Sequence, residues 1–142
     1  MRAKEFLQQY RNADAEINAK LEQIARLRSL AEKTTQTLTS AVVRTSPENK
    51  LERIVTKIAD MENEVDARVD KLQDIKRQVE AAIAAVPDPK QRAILERRYI
   101  NGERWEQIAI DMNYTYRHTT RLHGDALRAV FENMSLNVPI TK

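Results

Sequence analysis

From Leu51 to Val86 an apolar residue returns every seventh position without a break: Leu51, Ile58, Val65, Leu72, Val79 and Val86. A second row, three residues on, reads Ile54, Met61, Arg68, Ile75 and Ala82. That spacing keeps one stripe on one side of an α-helix and demands another helix to cover it. A strand, whose faces alternate with period two, cannot use the pattern. The repeat therefore predicts one helix from Pro47 to about Pro87, roughly 60 Å long at 1.5 Å per residue. Ser46 and Pro47 suit its start: a hydroxyl to accept a free N–H, then a residue that has none to leave unpaired.

A partner helix is present upstream. Tyr10, Ile17, Ile24 and Ala31 repeat by seven, and Phe6, Ala13, Lys20 and Leu27 form the companion row, so residues 2–33 read as a helix with one polar interruption. Between the two, residues 34–46 hold five threonines and two serines, whose hydroxyls compete with helical hydrogen bonds. A connecting loop over about 34–46, with Val42 and Val43 tucking it down, makes residues 1–86 an antiparallel coiled-coil hairpin. Further apolar residues flank the stripe at Leu7 and Leu21, and at Val55, Val69 and Ile83. That is wider than a two-helix seam requires. Either a second copy of the hairpin covers this row, giving a homodimer, or the C-terminal domain does.

Pro87-Asp88-Pro89 ends the long helix and starts another, with Asp88 as N-cap. Three shorter helices follow, at about 89–100, 104–112 and 115–133, with Gly102 stopping the first. Trp105, Ile108, Ala109 and Met112 give the second one apolar face, and Asn113 can take the left-handed conformation that closes it. Thr115 caps the third, whose inner face is Thr119, Leu122, Ala126 and Val130, extended by Leu127 and Phe131. Two helices joined by such a short turn make a helix-turn-helix unit, placed here at 87–134, with 135–142 as a flexible tail. The fold class expected is all-α.

The stretch RRYINGERWEQIAIDMNYTYRHTTRLHGDALRAV resembles region 4 of bacterial sigma factors. More closely, it resembles the sigma-region-4-like domain of phage proteins grouped with the ArpU- and RinA-type late-transcription regulators. The resemblance rests on Arg98-Tyr99, the Gly102 break, Trp105-Glu106-Gln107-Ile108-Ala109, Tyr114-Thr115, Leu122-His123 and Ala126-Leu127, all within residues 97–130, about a quarter of the chain. The family usually has Ser or Thr after the glycine to cap the second helix; here that place is Glu103. The resemblance implies a major-groove reader at the start of the third helix, with Tyr116, Arg117, Thr120 and Arg121 facing the bases. The helical period leaves the same four outside once Thr119 and Leu122 turn inward. Thr115 and His118 complete the expected DNA-binding set. From Thr115 to Gly124 there are two arginines, two histidines and no acid, and arginine can bond a guanine edge bidentately.

Charge and composition narrow the function. The net charge is only +3, and residues 88–134 carry eight bases against seven acids, so nucleic-acid binding has to come from local charge. There is no cysteine, and no Gly-rich phosphate loop, metal-ligating motif or nucleophile–base pair is recognisable. Neither enzyme activity, a metal nor a cofactor is expected. His118 and His123, five apart, lie on different faces and make no metal pair. Trp105 reads as core and His123 as packed or exposed. Arg97 and Arg98 read as phosphate contacts or as partners of Glu96 or Glu106, and Lys20 and Arg68 as setters of register or solvated charges. The acids between Asp60 and Asp74 read as a solvated face. No apolar run suits a signal peptide or a membrane span, which points to the cytoplasm, and the resemblance to phage proteins implies that of a bacterial host.

The leading expectation is a sequence-specific transcriptional regulator on double-stranded DNA. The alternatives are a small-terminase-like packaging protein and an adaptor that binds RNA polymerase or a sigma factor.

Overall fold

A computed structural model describes residues 2–40 and 47–137. Five α-helices follow one another: α1 (Ala3–Ser40), α2 (Pro47–Ala84), α3 (Pro89–Leu95), α4 (Trp105–Met112) and α5 (Tyr116–Asn137). A π-helical turn, Glu96–Ile100, continues α3, and no strand occurs among the described residues. The fold is all-α. Contacts divide the chain into two compact units, Ala13–Lys71 and Met1–Asn12 with Leu72–Lys142.

Within Ala13–Lys71, α1 and α2 run antiparallel. Arg28 pairs with Glu62, Lys20 Nζ lies 3.4 Å from Glu64 and Arg68 Nη1 lies 3.1 Å from Glu16. As the number on α1 falls, its partner on α2 rises, which is the signature of a hairpin. Ile17, Ile24, Ile54, Met61 and Val65 are buried along the seam, all at expected heptad positions. Lys20 and Arg68, the two polar interruptions, meet across the seam through Glu64, since Arg68 Nη2 also binds it at 3.1 Å. Both charges keep their heads partly in solvent while bonding a common carboxylate, which fits both readings of these positions.

The loop expected from residue 34 begins later, because α1 runs on to Ser40. Thr34 and Thr35 donate their hydroxyls to the carbonyls of Leu30 and Ala31, each at 2.9 Å. A threonine hydroxyl that bonds the carbonyl four residues back is satisfied inside the helix and does not draw the backbone out of it. Ser46, Val42 and Val43 lie outside the described residues.

In the other unit, one buried cluster joins Ala3, Leu7, Val79, Ile83 and Val86 to Ile94, Leu95, Tyr99, Ile108, Ala126 and Val130. The ends of the hairpin are thus part of the core of the C-terminal helices, and the compact unit reaches across Pro87. Leu7 and Ile83, two of the flanking residues, are covered here. In Ala13–Lys71 their counterparts Leu21 and Val55 remain 46% and 52% exposed, and Val69 is exposed as well.

The end of α2 is held by polar bonds. Arg92 Nη1 donates to the carbonyls of Val86 at 2.7 Å and Pro87 at 2.8 Å, and Asn133 Nδ2 to that of Ala85 at 3.0 Å. These bonds satisfy carbonyls that a helix end leaves free. Asp88 accepts the Lys90 N–H at 2.9 Å and starts α3 as its N-cap. α5 does not stop near 133 with a tail from 135; it continues to Asn137. The anchoring of Asn133 and the packing of Met134 on the cluster explain the extra turn. Residues 138–142 of the expected tail lie outside the described residues. Phe131, expected on the inner face, is instead 54% exposed, while Val130 beside it fills the core.

Candidate nucleic-acid interface

The first expected helix, 89–100, is α-helical only to Leu95; its last turn widens so that the Asn101 N–H bonds the Glu96 carbonyl at 3.0 Å, an i to i+5 closure. The wider turn carries Tyr99, which is 1% exposed. Single π turns of this kind are frequent at functional positions. Gly102 then takes φ +70, a left-handed value that a side chain would strain. Glu103 is fastened on both sides of its peptide: its N–H donates to the Arg97 carbonyl at 3.0 Å, and its own carbonyl accepts from Arg98 Nη1 at 2.9 Å. The N-cap of α4 falls on Arg104, which makes no side-chain capping bond. Glu103 accordingly serves the loop, with its carboxylate on Arg97 Nη1 at 3.3 Å. Arg97 also binds Asp111 at 3.2 Å, so its partners are Glu103 and Asp111 rather than Glu96 or Glu106.

Asn113 closes α4 in the left-handed conformation, φ 59 and ψ 44. The Tyr114 N–H reaches back to Ala109 and the Asn113 N–H to Ile110, which satisfies the last carbonyls of the helix. Thr115 Oγ1 accepts the His118 N–H at 3.1 Å and caps α5. The turn between α4 and α5 therefore spans only residues 113–115.

Thr119, Ala126 and Val130 point into the core. Tyr116, Arg117, His118, Thr120 and Arg121 are all exposed, as is Thr115. The structure thus brings the six sequence-predicted residues together on the outer side of the start of α5. No carboxylate lies within ion-pair distance of Arg117 or Arg121 among the described residues. The His118 ring meets that of Tyr114 edge-on at 4.5 Å, and Thr120 returns its hydroxyl to the Tyr116 carbonyl at 3.0 Å. Gly124 lies on the same side of α5, seven residues after Arg117, and an added Cβ there would meet nothing within 4 Å. A mid-helix glycine costs about 1 kcal/mol relative to alanine, and no neighbour in the chain accounts for its lack of a side chain.

No family model, curated protein or solved structure matches this chain.

Beneath the exposed face, His123 and Tyr99 share a hydrogen bond of 2.7 Å between Nε2 and the hydroxyl. The Trp105 ring centroid is 4.4 Å from that of His123, and the Arg98 guanidinium lies 4.9 Å from the Trp105 ring. Trp105 is half-buried between these two. Sequence reading missed the Tyr99–His123 bond because 24 residues separate its ends.

Burial, with the nearby charges of Lys4 and Arg98, pushes the His123 pKa down to about 4, while burial raises that of Tyr99 to about 12. Both rings are therefore neutral at pH 7. An unfolded chain takes up the histidine proton below pH 6.5, whereas the native one resists until about 4. The stabilisation is full above pH 6.5 and is lost as pH falls towards 4. With the ring only half-buried, the loss is about 1–2 kcal/mol, well under the full linkage value. Melting curves between pH 7 and pH 4 should show this decline, and His123→Gln should remove the part due to this ring. An equally steep decline in that variant would assign the effect elsewhere.

Proposed function

We propose that this protein is a sequence-specific DNA-binding transcriptional regulator, encoded by a phage and acting in the cytoplasm of a bacterial host. It is non-enzymatic and reads the major groove with the start of α5. The observation that carries this reading is the combination of a tight 113–115 turn with an outer α5 face of Tyr116, Arg117, Thr120 and Arg121, exposed and free of acid partners. An arginine left without a carboxylate is available to a guanine edge, and Thr115 and His118 at the helix start suit a phosphate. The bare side of Gly124 would let a DNA backbone approach closely. The resemblance to sigma factor region 4 and to the ArpU- and RinA-type regulators supports the same reading.

The exposed Leu21, Val55 and Val69 on the hairpin support a homodimer, because an apolar row at heptad spacing on a paired coil suits a second copy. Linked readers gain affinity from effective concentration. Selection of bound fragments from a random pool of duplex DNA tests both statements. The expected product is a defined motif in two related half-sites. Fragments without a common motif would remove sequence-specific reading, and a single unrepeated half-site would remove the dimer.

A second reading has two observations in its favour. Ile110 on α4 is 71% exposed and Phe131 is open to solvent, so this domain could instead dock on RNA polymerase or a sigma factor through apolar contacts. The packaging role of a small terminase uses the same DNA contacts, and ring-sized oligomers in solution would favour it.

A further inference from the structure

The N-terminal end of α1 carries two cations seven residues apart, Lys4 and Arg11, and hence on one side of the helix. Arg11 sits beside the loop before α4: its Nε lies 3.8 Å from where a Cβ on Gly102 would be. Arg98 belongs to the same neighbourhood, with its guanidinium over Trp105 and on the Glu103 carbonyl. Among the described residues, no carboxylate lies within ion-pair distance of Lys4, Arg11 or Arg98. Burial and then the charge of Arg11 lower the pKa of Arg98, outweighing the opposing effects of Tyr99 and Glu106, so the two cations are close enough to repel. The charge of Lys4 is felt at His123. His123 follows Thr120 by one turn and Tyr116 by two, which places it along the edge of the exposed α5 face. Elsewhere in this unit Arg77 is paired with Asp74, and Arg97 with Glu103 and Asp111. Lys4, Arg11 and Arg98 thus stand without an acid partner near the loop that precedes α4.

We infer that Lys4 and Arg11 of α1, with Arg98, form a contact site for the phosphate backbone of duplex DNA flanking the groove read by α5. The inference rests on the DNA-binding reading above. A phosphate brought against these groups relieves their mutual repulsion and releases condensed counterions. The hairpin then takes part in DNA binding directly, and the contact contributes affinity without sequence preference.

The test uses the full chain and two duplexes, the selected site and a scrambled one, titrated at several salt concentrations. Lys4→Gln with Arg11→Gln should weaken binding to both duplexes alike, roughly five- to tenfold per cation near 0.1 M salt, and flatten the salt slope by about one unit each. Arg11→Lys should restore most of the slope. Melting temperature should hold or rise, because neither cation has an acid to lose. Wild-type binding with unchanged slopes in the glutamine variants would overturn the inference and leave α5 reading intact. A lower melting temperature with no rescue by Arg11→Lys would assign these residues a packing role and overturn it too. Failure of the wild type to bind either duplex would overturn the inference together with the reading it rests on.

Discussion

A chain cut to begin at Pro87 is expected to lose its folded C-terminal unit. Ala3, Leu7, Val79, Ile83 and Val86 supply five of the eleven residues in the buried cluster, and all five precede the cut. Without them Ile94, Leu95, Tyr99 and Ile108 face water on the side now covered. Arg92 also loses the carbonyl of Val86, and Asn133 that of Ala85. The remaining stretch is about the size at which a single small core is marginal. Circular dichroism of the shortened chain should give low helicity and no cooperative melt. A sharp melt with full helicity would mean that the three short helices hold themselves.

Point substitutions grade the same dependence. Leu7 is fully buried, and Leu7→Ala should cost about 2–5 kcal/mol, as large-to-small core changes do. Leu21→Ala, fourteen residues along the same row but exposed, should stay within about 0.5 kcal/mol in the monomer. Equal losses at the two positions would contradict the division of that row into a covered end and an open middle.

Replacing Arg117 and Arg121 together with alanine should reduce binding to the selected site by roughly 2–6 kcal/mol, if each contributes the 1–3 kcal/mol typical of a base or close phosphate contact. The single variants separate the two roles. Arg117→Ala should relax preference at one position of the site, because Arg117 lies nearest the capped end of α5. A residue that only touches phosphate would weaken selected and scrambled DNA alike and flatten the salt slope. Folding should be unaffected, since neither side chain has a carboxylate partner or a buried surface to lose. Arg128→Ala, further along α5, serves as an exposed control. Arg97→Ala is the contrasting case: it breaks ion pairs with Glu103 and Asp111 and should show in the melt. Undiminished binding by the double variant would move the polymerase-docking reading into first place.

Much of this architecture can be read along the chain because its causes are local. The heptad rows from Leu51 to Val86 and from Tyr10 to Ala31 specify helices, since every turn repeats the same choice of side. Asp88 before Pro89, Gly102 at φ +70, Asn113 in the left-handed region and Thr115 on the His118 N–H act within three residues of themselves. Their chemistry sets the boundaries of α3, α4 and α5 and, with the helical period, which side of α5 faces outward. Tertiary structure decided the rest. Threonines at 34 and 35 look like helix breakers until their hydroxyls are seen bonding back to Leu30 and Ala31. The flanking row of Leu7, Leu21, Val55, Val69 and Ile83 is uniform in sequence, yet Leu7 and Ile83 are buried and the others exposed, because only the hairpin ends meet the C-terminal helices. Tyr99 found His123 over 24 residues and Asn133 found Ala85 over 48. Spacing along a helix carries no record of such partners, since they depend on which elements the closed core brings side by side.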